Sequence, residues 1–378
     1  MLIIKINPIV KFLTVFVFSL FVLDAAFAET KTIYHPDGSL FVELSMKDGK
    51  KEGEKIVYGA NKTIREITNY KNDLKDGQET IFWPDGTLQS HKNYKAGNLD
   101  GYVQYYENNR LLSEQQFKDG NREGLTKFFY PDGILRNELP YRAGKKEGIC
   151  KFYDSKGTLY LEQPFKNDLK DGVARYYQGF TPVQLESKFM DKLRKLEGFA
   201  AGQLVMEVPF VADKVIGVVK YYSNMGKVVY EEEFKDGLIN GVCKDFYDDG
   251  TVKAEEPFVN GRQNGVAKNY YPNGKLSSQV QFVDGKRQGV AKTYSEDGDF
   301  ESEQTYRDDL VQGEKRSYFP DGKIKEIKPY FNDNVEGQWK MFYDNGNLRA
   351  ESEYKEGKMV KNWVCYDASG KLTDEITY

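Results

Sequence analysis

The feature that most constrains this chain is a repeat of about 24 residues, seen most cleanly in residues 265–288, GVAKNYYPNGKLSSQVQFVDGKRQ. Counting from Gly265, an aromatic lies five residues on (Tyr270) and a turn, Pro272, Asn273 and Gly274, follows it. An apolar residue comes eleven on (Leu276) and a second aromatic seventeen on (Phe282). A second turn, Asp284, Gly285 and Lys286, hands over to Gly289, where the layout begins again. Two runs separated by Pro, Asn, Asp and Gly punctuation read as a β-hairpin. Units open at or near residues 29, 53, 77, 101, 124, 148, 172, 193, 217, 241, 265, 289, 313, 337 and 361. The first aromatic slot runs from Tyr34 to Tyr366 and is broken at Gly198, while the second runs from Met46 and Tyr70 to Tyr354 and Tyr378.

A periodic chain of this kind buries each unit against its neighbours and needs rows of apolar side chains instead of a thick core. Composition agrees: hydrophobic residues are 39%, low for a compact domain of this length, while aromatics reach 14%. The predicted fold is all-β: an elongated single-layer antiparallel β-meander or solenoid of about 15 tandem 24-residue β-hairpins. A three-residue turn closed by a glycine bulge would set Tyr270 across from Leu276. Strict alternation then predicts that Tyr270, Leu276 and Phe282, all at odd offsets from Gly265, share one face, with a polar even face behind them.

Residues 1–28 stand outside the repeat. Lys5 and Lys11 give a basic start, residues 12–23 are apolar, and Ala26, Phe27 and Ala28 form a small-residue cleavage signal. This reads as a secretory signal peptide, with the tandem repeats occupying residues 29–378 and an irregular seam near 178–216. The three cysteines do not read as disulfide partners. Cys150 and Cys243 lie four hairpins apart, roughly 38 Å at the usual strand spacing, and Cys365 is farther still. A bridge needs Cα atoms within about 7 Å, so all three are predicted to be small buried hydrophobes.

Residue types that carry chemistry are scarce. The two histidines occupy repeat slots: His91 stands fourteen after Gly77, where eleven of fifteen units have Glu, and His35 precedes a turn. The glutamate row (Glu138, Glu162, Glu231 and Glu255 among them) reads as a solvated ladder meeting lysines of adjacent strands. A cation recurs three after the unit glycine, as in Lys127, Lys151, Arg175, Lys220, Lys268 and Arg316. Its stem would cover the aromatic rings while its charge reaches water. No Ser/His/Asp or Cys/His constellation, calcium loop or phosphate loop is readable. The sequence therefore predicts no catalytic, metal or cofactor-binding residues, no cofactor and no enzyme activity. One stretch departs from the template. Between 178 and 198 the alignment is ambiguous: units open at 172 and 193, the first three residues short, or Gly198 is the unit glycine, giving one long unit and one short. Here Lys188, Lys192, Arg194, Lys195 and Phe199 make a basic candidate seam for a partner.

The pattern of glycine, Tyr-Tyr-Pro-Asp-Gly-x-Leu and Lys-Asp-Gly resembles the MORN repeat variant of bacterial proteins. It stands as EGLTKFFYPDGILRNELPYRAG at 123–144 and QGEKRSYFPDGKIKEIKPYFND at 312–333, and the resemblance covers residues 29–378. The resemblance implies hairpin arrays that serve as scaffolds or binding surfaces. Some relatives are antitoxin components, and MORN arrays elsewhere are linked to phospholipid or protein partners. The YD-type repeats of secreted toxin shells look superficially similar but belong to much longer chains. The expected function is a non-catalytic scaffold or binding module for a protein partner, acidic if it meets the seam. Its expected location is the periplasm, the cell envelope or outside the cell. The alternatives are an antitoxin-like partner, a glycan- or phospholipid-binding surface protein, or an enzyme. The net charge of −4 argues against nucleic acid, which favours a basic stripe, and membrane contact after signal removal is not indicated. A monomer or an edge-paired oligomer is expected.

Overall fold

In the computed structural model Gly265–Tyr270 and Leu276–Val283 are antiparallel strands, with Gly265 opposite Phe282, Ala267 opposite Val280 and Tyr270 opposite Leu276. The turn between them has the predicted chemistry. Tyr271 N donates to Lys275 O at 2.8 Å and Gly274 N to Tyr271 O at 2.9 Å, with Gly274 at φ 80°. That is a tight turn closed by a left-handed glycine. The second turn has only two residues, Asp284 and Gly285, since Val283 pairs with Lys286. Their φ values of 49° and 85° are both left-handed, the geometry that matches the twist of flanking strands and that Asp-Gly supplies at least cost.

The structure describes residues 4–6, 28–179, 189, 193 and 197–376. They fall into two compact units, Met1–Gly172 and Val173–Tyr378. In the first, successive hairpins such as Ala28–Tyr34 with Leu40–Lys47 and Gly148–Tyr153 with Leu159–Lys166 pair antiparallel with their neighbours. Ile4–Ile6 adds three residues of pairing against Lys31, Thr32 and Ile33. The second unit repeats the arrangement from Gly217–Tyr222 to Leu372–Ile376. Each is an open antiparallel meander.

The predicted division of faces does not hold, and the reason is local. Asn269 pairs with Ser278 but Tyr270 pairs with Leu276, leaving Ser277 as a bulge that absorbs one residue and reverses the alternation behind it. Tyr270 and Leu276 therefore share one face, and Phe282 lies on the other with Ala267 and Val280. The even slot two after the unit glycine is not a solvated one: Cys150, Ala174, Val219, Cys243 and Ala267 are buried there, and so are the polar Glu79 and Thr126. The same face carries buried Tyr141, Phe210 and Phe234 from the second aromatic slot. A cation two residues before the unit glycine lies over the second aromatic of that unit: Lys75 over Tyr94 at 4.8 Å, Lys146 over Phe165 at 4.8 Å and Arg287 over Tyr306 at 4.2 Å. These residues shield the second aromatics, while in the row three after the glycine Lys292 lies over Phe300 at 5.9 Å. We call this the packing face, and the opposite one the ladder face.

The unit glycine is required by two constraints at once. Gly265 has φ +121°, and a Cβ built there would stand 2.8 Å from Pro257 Cγ of the preceding unit. Only glycine meets the bulged conformation and the close approach together. Cys150 and Cys243 are buried as predicted, Cys365 half-buried, and burial pushes the Cys150 thiol up to about 11.

Candidate interaction surface

The ladder face is built from three slots. The glutamate fourteen after one unit glycine accepts a hydrogen bond from the first aromatic of the next unit. Tyr58 donates to Glu43 at 2.7 Å and Tyr153 to Glu138 at 3.0 Å in the first unit. In the second, Tyr222 donates to Glu207 at 2.7 Å, Tyr270 to Glu255 at 2.9 Å and Tyr318 to Glu303 at 2.9 Å. The cation three after the glycine meets the same row: Lys151–Glu162 at 3.7 Å, Lys220–Glu231 at 3.7 Å and Arg175–Glu207 at 3.0 Å. Burial and the carboxylate hydrogen bond raise the tyrosine hydroxyls, Tyr153 and Tyr270 to about 12. These glutamates are thus bound within the sheet. The sequence reading found their lysines and missed their tyrosines. A partial signal was present: where the slot is Ile67 or Ile327, the ring fifteen residues on is Phe82 or Phe342, which has no hydroxyl to satisfy, although Phe129 and Phe246 also follow Glu114 and Glu231.

His91 occupies this row. Its Nδ1 lies 2.9 Å from Thr80 Oγ1 and 3.1 Å from Gln78 Nε2, and burial lowers its pKa. Tyr106 packs edge-on to its ring at 6.1 Å and donates to Gln104 instead. His35 stacks on Phe41 at 4.6 Å. Both histidines belong to the repeat.

Beside the charged ladder runs an apolar one. The residue directly after the unit glycine is Val218, Val242, Val266 and Val290 in four successive repeats of the second unit, each 40 to 44% exposed, before the slot turns polar at Glu314, Gln338 and Asn362. In the first unit the slot is polar at Thr30, Glu54 and Gln78 and then holds Tyr102, Leu125 and Ile149, also exposed. Leu125 is paired with Pro140, Ile149 with Pro164 and Val242 with Pro257, whereas Val218, Val266 and Val290 are paired with Glu233, Gln281 and Thr305. The apolar row therefore runs along one strand of each hairpin with mixed neighbours across. A recurring β-branched residue in a solvated slot is what alternation alone would not select, since single exposed apolar residues are ordinary but aligned ones form a patch.

Of the candidate seam, Lys188, Lys192, Arg194 and Lys195 lie outside the described residues; Phe199 is half-buried. Two described neighbours are buried, while Glu197, Gly198 and Ala200 are exposed. Phe189 is 2% exposed and packs edge-on against Phe234 at 5.7 Å, and Leu193 is buried too. Gln178 N donates to Gln203 O at 2.8 Å, the bond that closes an ordinary first turn, and Arg175 reaches Glu207 as a first strand reaches its partner. The units opened at 172 and 193 are therefore one hairpin, closed by a long connection. Phe210 fills its second aromatic slot, and Phe189 does not stand in a regular strand position.

A family model described as MORN repeat variant matches residues 75–96, 122–143, 146–167, 239–260, 263–284, 311–332 and 335–356. No curated protein matches the chain. A crystal structure of TcdB2-TccC3 is similar at 13% identity, covering 90% of this chain and 19% of that one, with a TM-score of 0.16. A structure of a Photorhabdus luminescens Tc holotoxin pore is similar at 11% identity over 91% of this chain and 23% of that one, also with a TM-score of 0.16. The chain thus spans under a quarter of those chains' length. The matched stretches coincide with the hairpins and their two turns, and on these grounds the chain belongs to the MORN repeat variant family.

Proposed function

We propose that this protein is a non-catalytic, exported binding scaffold whose ladder face engages a protein partner. The observation that carries the reading is the aligned row of Val218, Val242, Val266 and Val290, exposed beside a ladder of both charge signs. Apolar rows give affinity through the area they remove from water, and flanking charges set register and suppress wrong partners. A regular surface of this type suits an extended partner met at several units at once, where linked weak contacts add. The chemistry on this face is already committed to holding the sheet together, which supports scaffold over enzyme. Export is supported by Lys5 and Lys11, the apolar run at 12–23 and the Ala26, Phe27, Ala28 signal, and puts the protein in the periplasm, on the envelope or outside the cell.

The test uses the mature form as bait in the native host, beside a variant with all four valines changed to Thr, which keeps the β-branched shape. The variant should melt as the parent does and lose the captured partner. Equal capture by both would refute the surface, and a mature protein that does not begin at Glu29 would refute the export route. A third bait with Lys188, Lys192, Arg194 and Lys195 changed to Gln tests the seam as the site for an acidic partner.

A further inference from the structure

In the second unit the packing face carries a cavity of about 710 Å³ between Phe319 and Ile376. We propose that it is a binding site for an amphipathic organic anion, an apolar ring bearing one acidic group. Its floor follows from the register: Met341 pairs with Ala350 and Ala350 with Cys365, so a methyl group lies between two longer side chains. Its wall is Trp363, in the slot that holds Cys243 and Ala267 in other units. One neighbour, itself held by two partners, fixes that wall. Trp339 meets Trp363 edge-on at 5.2 Å, donates its indole N–H to Glu326 Oε1 at 2.6 Å, and lies under Lys328 Nζ at 3.7 Å.

The mouth has the opposite chemistry. Lys325 and Arg349 are exposed bulge residues, each held 5.8 Å over a turn aromatic, Phe319 and Tyr343 respectively. Among the lining residues the carboxylate is Glu326, whose oxygen is engaged by Trp339. Two cations against one committed carboxylate leave an excess positive charge where a ligand's acidic group would stand. The volume falls in the range of about 300–1,000 Å³ that small-molecule sites occupy, and an apolar lining with few placed charges is their usual composition. The ring would lie against Trp363 and Met341, with the anion between Lys325 and Arg349.

The probe is 8-anilinonaphthalene-1-sulfonate, with uncharged N-phenyl-1-naphthylamine as its control, titrated by fluorescence against the whole chain. The sulfonate should saturate one site per chain. Changing Lys325→Gln and Arg349→Gln together should weaken the sulfonate about tenfold, since each exposed charge contributes up to about 1 kcal/mol, and move the uncharged dye by less than about twofold. Ala350→Leu should abolish both by filling the floor. Ile376→Glu, at an exposed strand end, should also weaken the sulfonate and stands in if Ala350→Leu fails to fold. No saturable binding, equal sulfonate affinity in the double variant, or sulfonate binding that survives both Ala350→Leu and Ile376→Glu would overturn the site.

Discussion

Phe189→Ala tests whether the irregular stretch is part of the folded body. The ring is 2% exposed and 5.7 Å edge-on from Phe234, itself buried. A phenylalanine that is fully covered removes roughly 150–250 Å² from water, or about 4–6 kcal/mol at ~25 cal/mol per Å². That figure is an upper bound, because the unfolded chain is already partly collapsed. Substitution data for such positions run about 3–5 kcal/mol, and the lost aromatic pair lies within that. In a repeat array the loss should stay local, opening the neighbouring hairpins before the rest. Hydrogen exchange over Leu204–Val211, Gly217–Tyr222 and Val228–Lys235, with urea melts followed by circular dichroism, reads both effects. Protection in those strands should fall by orders of magnitude while the hairpins of residues 28–142 keep theirs. A loss under about 1 kcal/mol with unchanged exchange would refute the docking of Phe189 and return the stretch to a solvated loop.

Three further outcomes follow from the same geometry. Glu79 is 2% exposed; burial raises its carboxyl pKa, but hydrogen bonds and charge from Lys75 and Lys92 together outweigh this and hold it below the ordinary value. Its contribution is present above pH ~4.5 and lost as pH falls through the lower folded value, so Glu79→Gln should cost about 1–3 kcal/mol at neutral pH and flatten the acid limb of stability against pH. Tyr153 and Tyr270 are raised to about 12, by burial first and then by Glu138 and Glu255, so their contribution is intact below pH ~10 and lost between there and 12; Tyr153→Phe with Tyr270→Phe should make alkaline unfolding less steep. Gly265→Ala should cost about 1–3 kcal/mol through its left-handed φ and the contact with Pro257, measured in urea, whereas Gly274→Ala meets no atom within 4 Å and pays for φ alone.

The parts of the fold legible in the sequence are the parts governed by local chemistry. Pro272, Asn273 and Gly274 dictate their turn, and Asp284 and Gly285 dictate theirs, because each backbone conformation has few residues that adopt it cheaply. The bulge was not legible because its slot tolerates anything: Phe41, Arg65, Leu112, Tyr160, Lys253 and Ser277 stand there in different units. A bulge that selects no residue still reverses every side chain beyond it. The parity change was nonetheless written in Cys150, Cys243 and Ala267, small apolar residues in an even slot that a solvated face would not hold. The seam shows the converse limit. Its broken period marks residues 178–198, but nothing periodic says which side of a departing segment turns inward. Its charges drew the reading outward; those four residues lie outside the described ones, and beside them Phe189 and Leu193 are buried.

The bulge also decides what the ladder face can be used for. With strict alternation both aromatic rows would share one face, and the other would be a uniformly polar wall with little to offer a partner. Reversal by one residue divides the rows. The second aromatics go to the packing face with Cys243, Ala267 and Phe234, and the first aromatics go to the ladder face, where Tyr270 is tied to Glu255. Each face then carries part of the packing, so neither must be covered for the sheet to hold. The consequence is seen at Val266 and Pro257. The proline ring fits over Gly265, as Ser45 and Asn69 cover Gly53 and Gly77 in other repeats, and the fold does not need an apolar residue after that glycine, where a threonine would pair equally well. Val218, Val242, Val266 and Val290 are therefore the residues on this face least explained by folding, and a variant carrying threonine at all four should separate what the sheet requires from what a partner does.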